Sequence, residues 1–305
     1  MQRKIINYKS EAEWLAERAK VLTSTSIAAL FGLSKYSTEF EEWHHKKNGT
    51  YAQIDESERM KWGTRLEQAI AEGVAKDSGW IVKPKKHFIV CPEIRLGSSF
   101  DYEVVEPFNA ILEIKAVDPL IFKNEWEIDD DGNIEATPYI EVQAQTQMLV
   151  SGVSKLYIAA LVGGNKVILL ERDADVKIQN AILSKVQKFW ASIDANEPPK
   201  PDFAKDSEFI ASLYQYAEPN KVLNVEGNET VATLMGRYKE AQELEKKSKE
   251  LKDAIKAEIL MMADDAEKII GDGFSISMGM VSEAQINYTR KAYRNFRPFF
   301  KKEKK

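Results

Sequence analysis

Apolar residues recur at intervals of three and four in the first 80 residues, which predicts a series of amphipathic helices. The predicted helices cover residues 10–20, 24–31, 38–47 and 57–78. Ser10 opens the first helix, and Thr38 and Glu41 have the spacing of a capping box at the third. The fourth helix is expected to end at Gly79, and its apolar stripe consists of Trp62, Leu66, Ile70 and Val74.

After Gly79 the pattern changes to short runs rich in Val, Ile and Phe, which are typical of strands. Turn sequences divide these runs, and we predict successive strands of a meander at residues 80–90, 97–105 and 110–117. A hairpin is predicted around Gly163-Gly164, with strands at residues 154–162 and 165–172. Helices are predicted before and after this hairpin, at residues 138–151 and 174–195.

The Pro198-Pro199 pair ends the last of these helices. We therefore predict a core at residues 1–200, a linker at 201–228 and a C-terminal region at 229–305. That region combines a long charged helix, a short hairpin at about 268–289 and a basic tail. We favour packing of the helix on the core over a coiled-coil partner. The tail either contacts DNA or stays in solvent, and its basic and aromatic residues are Arg290, Lys291, Arg294, Arg297, Tyr288, Tyr293 and Phe296.

Composition narrows the class of protein. The 305 residues are 44% hydrophobic and 30% charged, which is ordinary for a soluble enzyme with a real core. No apolar run is long enough to span a membrane, and the N-terminus lacks the apolar core of a signal peptide. The single cysteine, Cys91, excludes an intramolecular disulfide and fits the cytoplasm. A net charge of −5 argues against coating of DNA by bulk charge, but not against a local basic groove.

The segment 111–115 alternates apolar and charged residues, so Glu113 and Lys115 share one face of a strand. Asp101 lies on the preceding strand, and an antiparallel hairpin can place it beside Glu113. Two adjacent carboxylates repel each other unless a cation compensates them, and Mg²⁺ prefers one or two carboxylates plus water and phosphate. The alternative is an ordinary half-buried strand with its polar face in water.

Lys115 supplies a charge that phosphodiester cleavage needs, because an ammonium can orient the attacking water or neutralise the phosphorane. Glu67 lies in the helix just upstream of the strands, and its alternative role is that of a solvated helix charge. Gly63 is unusual inside a helix, since glycine costs about 1 kcal/mol against alanine. A close approach by another backbone would explain it.

Four motifs together resemble the YqaJ-type viral recombinase family, the lambda exonuclease group of the PD-(D/E)XK nucleases. Asp101 followed by Glu113-Ile114-Lys115 is similar to the nuclease motif, although Phe100-Asp101-Tyr102 replaces the usual Pro-Asp-Gly. The other three motifs occur in family order: the segment 18–28, which contains Thr23-Ser24-Thr25-Ser26, the helix segment 62–67, and the glutamine-rich segment 139–148. The resemblance covers residues 14–172.

The resemblance implies an α+β fold with a restriction-endonuclease-like core, in which helices flank a central mixed sheet and a helical appendage follows. It implies metal ligation by Asp101 and Glu113, with Glu67 joining directly or through water. Lys115 would orient the nucleophilic water, and Gln143 would lie near the metals. The cofactor would be one or two Mg²⁺ ions, with Mn²⁺ as a substitute. A DNA 5′-phosphate would be bound by Arg18, Thr23, Thr25 and Ser26, with Thr25 near a helix start adding backbone amides.

The function implied is that of a phage or prophage 5′→3′ exonuclease on double-stranded DNA ends, acting in the cytoplasm of a bacterial host. It would leave 3′ single strands for a single-strand annealing protein, and relatives form homo-oligomeric rings. An endonuclease or single-strand nuclease of the same fold remains an alternative. So does a DNA-binding module without catalytic activity.

Overall fold

The computed structural model describes residues 1–51, 56–290, 294–296, 298 and 300. The chain divides into two compact units, Met1–Ser212 and Leu213–Lys305. The division falls inside the segment 201–228 that the sequence predicts as a linker. The first part of that segment packs on the first unit, where buried Asp206 accepts a hydrogen bond from the Thr38 hydroxyl at 2.5 Å.

In chain order, the helices of the first unit are interspersed with its strands. They are α1 (Glu11–Ala19), α2 (Ile27–Leu30), α3 (Glu39–Asn48), α4 (Glu58–Ser78), α5 (Pro119–Glu125), α6 (Pro138–Ser151), α7 (Val176–Ala195) and α8 (Ser207–Leu213), whose last residue belongs to the second unit.

The predicted helix boundaries are confirmed where a capping residue marks them. The Ser10 side chain caps α1, and Thr38 and Glu41 form both hydrogen bonds of a capping box at α3. Gly79 ends α4 in the left-handed conformation that glycine adopts easily. The predicted apolar stripe of α4 is only partly buried, because Trp62 at its upstream end is 54% exposed.

The strands form two main sheets. Their bounds are β1 (Lys4–Ile6), β2 (Leu22–Thr23), β3 (Ile81–Pro84), β4 (Phe88–Cys91), β5 (Leu96–Ser98), β6 (Tyr102–Glu106), β7 (Ala110–Val117), β8 (Glu127–Ile128), β9 (Ile134–Glu135), β10 (Lys155–Val162) and β11 (Lys166–Asp173). One sheet has the order β11-β10-β7-β6-β3 and the other β1-β4-β5-β2, while β8 and β9 pair separately. The five-stranded sheet is mixed, since β10 runs parallel to β7 and the other pairs are antiparallel.

The prediction of a simple meander over residues 80–117 is wrong. Each of its first two runs breaks into two strands that belong to different sheets: β3 and β6 join the five-stranded sheet, whereas β4 and β5 join the four-stranded one. The chain leaves the five-stranded sheet after β3 and returns to it at β6. A hydrogen bond joins these two places, since Lys85 N–H donates to the Asp101 carbonyl at 3.0 Å. Asp101 therefore lies at a junction between sheets, in the residue before β6.

Helices cover both faces of the five-stranded sheet. On one face, Ile70 and Val74 of α4 pack in the cluster that contains Leu112 and Ile114 of β7. On the other face, α6 and α7 pack in the cluster that contains Ile111 of β7. Burial of each such aliphatic side chain contributes about 1.5–3 kcal/mol. This layered packing fixes β7, which carries Glu113 and Lys115, against α6.

The second unit contains the predicted long helix and a shorter hairpin than expected. Helix α9 spans Glu229–Ala263, and the Asn228 side chain caps its start. Strands β12 (Lys268–Gly271) and β13 (Phe274–Ser277) pair antiparallel, and residues 278–289 of the predicted hairpin contain no strand.

Three residues predicted for the basic tail lie outside the described residues: Lys291, Tyr293 and Arg297. Arg294 is described, and its guanidinium donates a hydrogen bond to the Tyr214 carbonyl at 3.2 Å. Across the described ranges, none of the helices combines the length and apolar character that a membrane span requires.

Candidate active site

Strand β7 places Glu113 and Lys115 on the face that α6 covers. The two residues are separated by one position, so their side chains leave the strand on the same side. Ile114 points the opposite way, into the apolar cluster beneath α4. Glu113 is 3% exposed and Lys115 is half-buried, which makes this a desolvated ion pair rather than a surface one.

Three side-chain donors contact the carboxylate of Glu113, two of them at one oxygen. Lys115 Nζ and Gln143 Nε2 both donate to Oε1, the latter at 2.7 Å. Gln147 Nε2 donates to Oε2 at 2.6 Å. Burial by itself would lower the pKa of Lys115, but the neighbouring carboxylates outweigh it and raise that pKa above its usual value. Lys115 is therefore an ammonium at neutral pH.

Asp101 is joined to the same strand through the backbone. Its Oδ2 accepts a hydrogen bond from Ile114 N–H at 2.8 Å. The β6–β7 register pairs Tyr102 with Leu112, which brings the residue before Tyr102 next to Glu113. Burial, and then the charge of Glu113, raises the pKa of Asp101 to about 8.

Glu67 lies on α4 and interacts electrostatically with this group. Burial, followed by the charge of Glu113, raises the pKa of Glu67, and Lys115 partly opposes this. Glu67 is half-buried and within electrostatic reach of the cluster. Taking only the described residues, no three His, Cys, Asp or Glu side chains are grouped closely enough to hold a metal ion. Asp101 and Glu113 are brought together by the β6–β7 pairing, and Glu67 interacts with both through its charge.

The pair Asp101 and Glu113 nevertheless fits a hard divalent cation. Mg²⁺ commonly takes one or two carboxylates and completes its shell with water and phosphate oxygens. The raised pKa of Asp101 is the consequence of two carboxylates in one desolvated place. A bound cation would remove that penalty by favouring the deprotonated form.

Arg18 and Thr25 form a second polar group, at the end of α1. The Arg18 guanidinium donates to Thr25 Oγ1 at 3.2 Å and stacks over the Trp14 ring at 4.4 Å. Burial lowers the pKa of Arg18, and the charge of Glu42 opposes this shift. Thr25 is exposed. Together they can offer guanidinium and hydroxyl donors to an anion, and phosphate suits such a combination.

The side chains of Thr23 and Ser26 are buried, rather than open to a bound phosphate. They are 3% and 7% exposed, and their hydroxyls hydrogen-bond within the turn that precedes α2. Thr23 Oγ1 also lies 3.0 Å from Thr25 Oγ1. The predicted helix at 24–31 is reduced by this turn to the four residues of α2. A helix of one turn has a weak dipole. It therefore gives little support to the prediction that backbone amides near Thr25 help to bind a phosphate.

Short contacts link the Arg18 group to the carboxylate cluster. Strand β2 pairs in parallel with β5, and Ser98 at the end of β5 hydrogen-bonds Ser24 at 2.8 Å. Trp14 Nε1 donates to Ser99 Oγ at 2.9 Å, two residues before Asp101. The two groups are therefore held by one continuous stretch of chain, 96–101.

Two further residues, Gln147 and Trp14, belong to this arrangement. Gln147 donates to Glu113, and its i,i+4 spacing from Gln143 was a signal that both would face the same strand. Trp14 contacts both Arg18 and Ser99, but nothing in the sequence alone distinguishes it from an ordinary amphipathic-helix tryptophan.

Part of the chain matches a family model, and most of it is similar to a curated protein. Residues 13–154 match the family model of the YqaJ-like viral recombinase domain. The uncharacterized protein YqaJ of Bacillus subtilis (strain 168) is 28% identical over 254 residues, which cover 82% of this chain and 78% of that protein.

Two solved structures are similar in fold. The crystal structure of LHK-Exo in complex with dAMP has a TM-score of 0.50 and 22% identity, covering 65% of this chain and 98% of that one. The crystal structure of an alkaline exonuclease (LHK-Exo) from Laribacter hongkongensis has a TM-score of 0.50 and 21% identity, covering 66% and 99%. This similarity establishes the α+β, PD-(D/E)XK fold that the motifs predict.

Proposed function

We propose that this protein is a metal-dependent deoxyribonuclease that digests double-stranded DNA from its ends in the 5′→3′ direction. The proposal starts from the match of residues 13–154 to the family model of the YqaJ-like viral recombinase domain. The names of structurally similar proteins, which include an alkaline exonuclease, agree with nuclease activity. The observation that carries the proposal is the group of Asp101, Glu113 and Lys115 at the central strand of the five-stranded sheet, with Glu113 buried.

Asp101 and Glu113 are the residues that would hold Mg²⁺ or Mn²⁺, as one ion or two, and Glu67 adds negative charge nearby. When bound, such an ion supplies Lewis-acid stabilisation of the phosphate and a lower pKa for the attacking water. We propose that the nuclease activity requires Mg²⁺.

Lys115 is placed to handle charge during the reaction. Its ammonium is fixed by Glu113 on a desolvated face, where electrostatic interactions are stronger than in water. It can hold the attacking water by donating a hydrogen bond to it, and it can neutralise charge that grows on the phosphorane. Gln143 donates to Glu113 and restrains the carboxylate's orientation, which is the role that we assign to it.

Arg18 and Thr25 are proposed to bind the 5′-phosphate of the strand that is digested. Their donors converge, and the segment 96–101 ties them to the cleavage site. We assign Thr23 and Ser26 a supporting part, since they hold Thr25 through buried hydroxyl contacts. A phosphate bound there would set the register of the next scissile bond.

We also propose that the protein acts in phage or prophage recombination. A phage or prophage recombination enzyme of this kind leaves 3′ single strands, and a single-strand annealing protein would take them up. Assembly into a homo-oligomeric ring around DNA would make digestion processive. Both the partner and the ring are proposals for this chain.

The test compares linear duplex DNA bearing 5′-phosphates with a closed circular duplex, each incubated with the protein and Mg²⁺. Lys115→Ala is the inactive control, and Lys123→Ala removes the same charge from α5. We expect loss of the linear substrate only, abolished by Lys115→Ala and retained by Lys123→Ala. Cutting of the circle would favour an endonuclease, and no cutting with Mg²⁺ or Mn²⁺ would leave a non-catalytic DNA-binding module.

A further inference from the structure

Helix α6 carries three buried glutamines at alternate positions, and two of them face Glu113. Gln143 and Gln147 are four residues apart and lie on one side of the helix. Gln145 points elsewhere, and both ends of its amide bond the backbone where β11 passes into α7, each at 2.9 Å. Helix α6 therefore contains glutamines that face Glu113, and it also contains Gln145, a structural glutamine that can serve as a control.

The amide nitrogen of Gln147 contacts both segments that carry the carboxylates. It donates to Glu113 Oε2 at 2.6 Å, and it lies 3.4 Å from the carbonyl oxygen of Ser99. Ser99 precedes Asp101 by two residues. Because an amide nitrogen has two hydrogens, this one group can bridge β7 and the segment leading to Asp101.

The amide oxygen of Gln147 behaves differently from that of Gln145. Gln147 is 1% exposed, and among the described residues its Oε1 has no hydrogen-bond partner. An unpaired buried acceptor is unfavourable and rare, so stability alone does not explain a glutamine here. Both ends of the Gln145 amide are satisfied, which is the ordinary arrangement for a structural glutamine.

We propose that Gln147 is a positioning residue for the metal site. It holds Glu113 and the Asp101 segment at the separation that a divalent cation requires, and it acts through them rather than by touching substrate. This inference rests on the proposed function and adds to it a residue that acts through the same site.

The experiment measures Mn²⁺ affinity of the full-length protein by electron paramagnetic resonance of the free ion. Gln147→Met keeps most of the volume but removes both N–H donors, and Gln145→Met is the matched control on the same helix. Loss of a partner behind a metal ligand typically weakens metal binding by about 10–100-fold. We expect that loss for Gln147→Met and a change within about twofold for Gln145→Met, with thermal unfolding measured for both.

Gln147→Asn is the second variant, since it keeps an amide but withdraws it from both acceptors by one methylene. Weaker Mn²⁺ binding by either folded Gln147 variant, with Gln145→Met unaffected, supports the proposal. Equal affinities in wild type and the folded Gln147 variants, with wild type cleaving DNA, overturn this inference alone. If the wild-type protein neither binds Mn²⁺ nor cleaves DNA, the proposed function fails and this inference fails with it.

Discussion

The backbone N–H of Ile114 donates a hydrogen bond to Asp101 Oδ2 at 2.8 Å, across the junction between the two sheets. Ile114 is the residue between Glu113 and Lys115, so this bond fixes Asp101 to the strand that carries them. It holds the Asp101 carboxylate in place, although Phe100-Asp101-Tyr102 departs from the Pro-Asp-Gly that the resemblance predicts. The aspartate is held by the neighbouring strand, and Tyr102 simply begins β6.

We predict that Asp101→Asn stabilises the metal-free protein. The pKa of Asp101 is raised from 3.8 to about 8 by burial and by Glu113. Below about pH 4 this carboxyl group is protonated in both the folded and the unfolded protein, so it does not destabilise the fold. As the pH rises from there toward 8, the unfolded protein loses the proton more readily than the folded one, and the folded protein becomes less stable. One pKa unit corresponds to about 1.4 kcal/mol. The free energy of unfolding at pH 8, measured in urea with a chelator present, should therefore rise by about 2 kcal/mol or more.

The advantage of the Asp101→Asn variant should shrink between pH 8 and pH 5 and reverse when Mg²⁺ is added. Asparagine keeps the acceptor for the Ile114 N–H but cannot supply the negative charge that a cation needs. A variant that is less stable than wild type at pH 8 without metal would contradict the electrostatic account of this site.

Much of the fold could be predicted because capping and periodicity are local signals. The caps at Ser10, Thr38 and Gly79 placed three helix boundaries, and the alternation at 111–115 placed Glu113 and Lys115 on one face. These features depend on residues close in sequence, so a single chain carries enough information to locate them.

The switch of strands between sheets could not be predicted in this way. Residues 80–90 form one continuous apolar-rich run, and pairing partners far away in sequence decide that β3 and β4 separate at Lys85. The contacts of Gln147 also depend on long-range packing. Its partners Glu113 and Ser99 are 34 and 48 residues away, and only the packing of α6 on β7 brings them together.

Arg18→Ala should remove the preference for 5′-phosphorylated ends. A charge-assisted hydrogen bond contributes about 1.5–3 kcal/mol, which corresponds to roughly a 10- to 100-fold loss of rate on phosphorylated DNA. The rate on 5′-hydroxyl DNA should change little. Lys20→Ala is the matched control, because Lys20 carries the same charge two residues away with a side chain that is 64% exposed. Initial rates on both substrates, taken as a ratio, provide the measurement.

The ratio for Lys20→Ala should equal that of wild type. If Arg18→Ala digested phosphorylated and unphosphorylated ends in the wild-type ratio, the phosphate would have to bind elsewhere, and the end-dependent reading would lose its main support.

Ser26→Ala should destabilise the turn before α2, whereas Thr25→Ala should not. Ser26 Oγ accepts from the buried Thr23 N–H at 2.8 Å, and its removal leaves that donor unpaired. An unpaired buried donor costs about 1–3 kcal/mol, which urea unfolding can resolve. Thr25 is exposed, so its alanine variant should unfold like wild type but discriminate less between phosphorylated and hydroxyl ends. A Ser26→Ala protein as stable as wild type would show that the buried hydroxyl network contributes nothing.

Gly63→Ala tests what the glycine in α4 is for. The expectation that another part of the protein approaches Gly63 closely is wrong, since a Cβ built there meets nothing within 4 Å among the described atoms. Alanine should therefore fit and raise the free energy of unfolding by about 0.5–1 kcal/mol through better helix propensity. Gly63 lies one turn before Glu67 on α4, so an added methyl group would lie on the same side of the helix as Glu67. A variant that is more stable but slower on DNA would assign the glycine to substrate clearance, and a variant that is both more stable and fully active would show that the position is free to change. A destabilised Gly63→Ala protein would mean that the helix is not open at this point, contrary to the packing described.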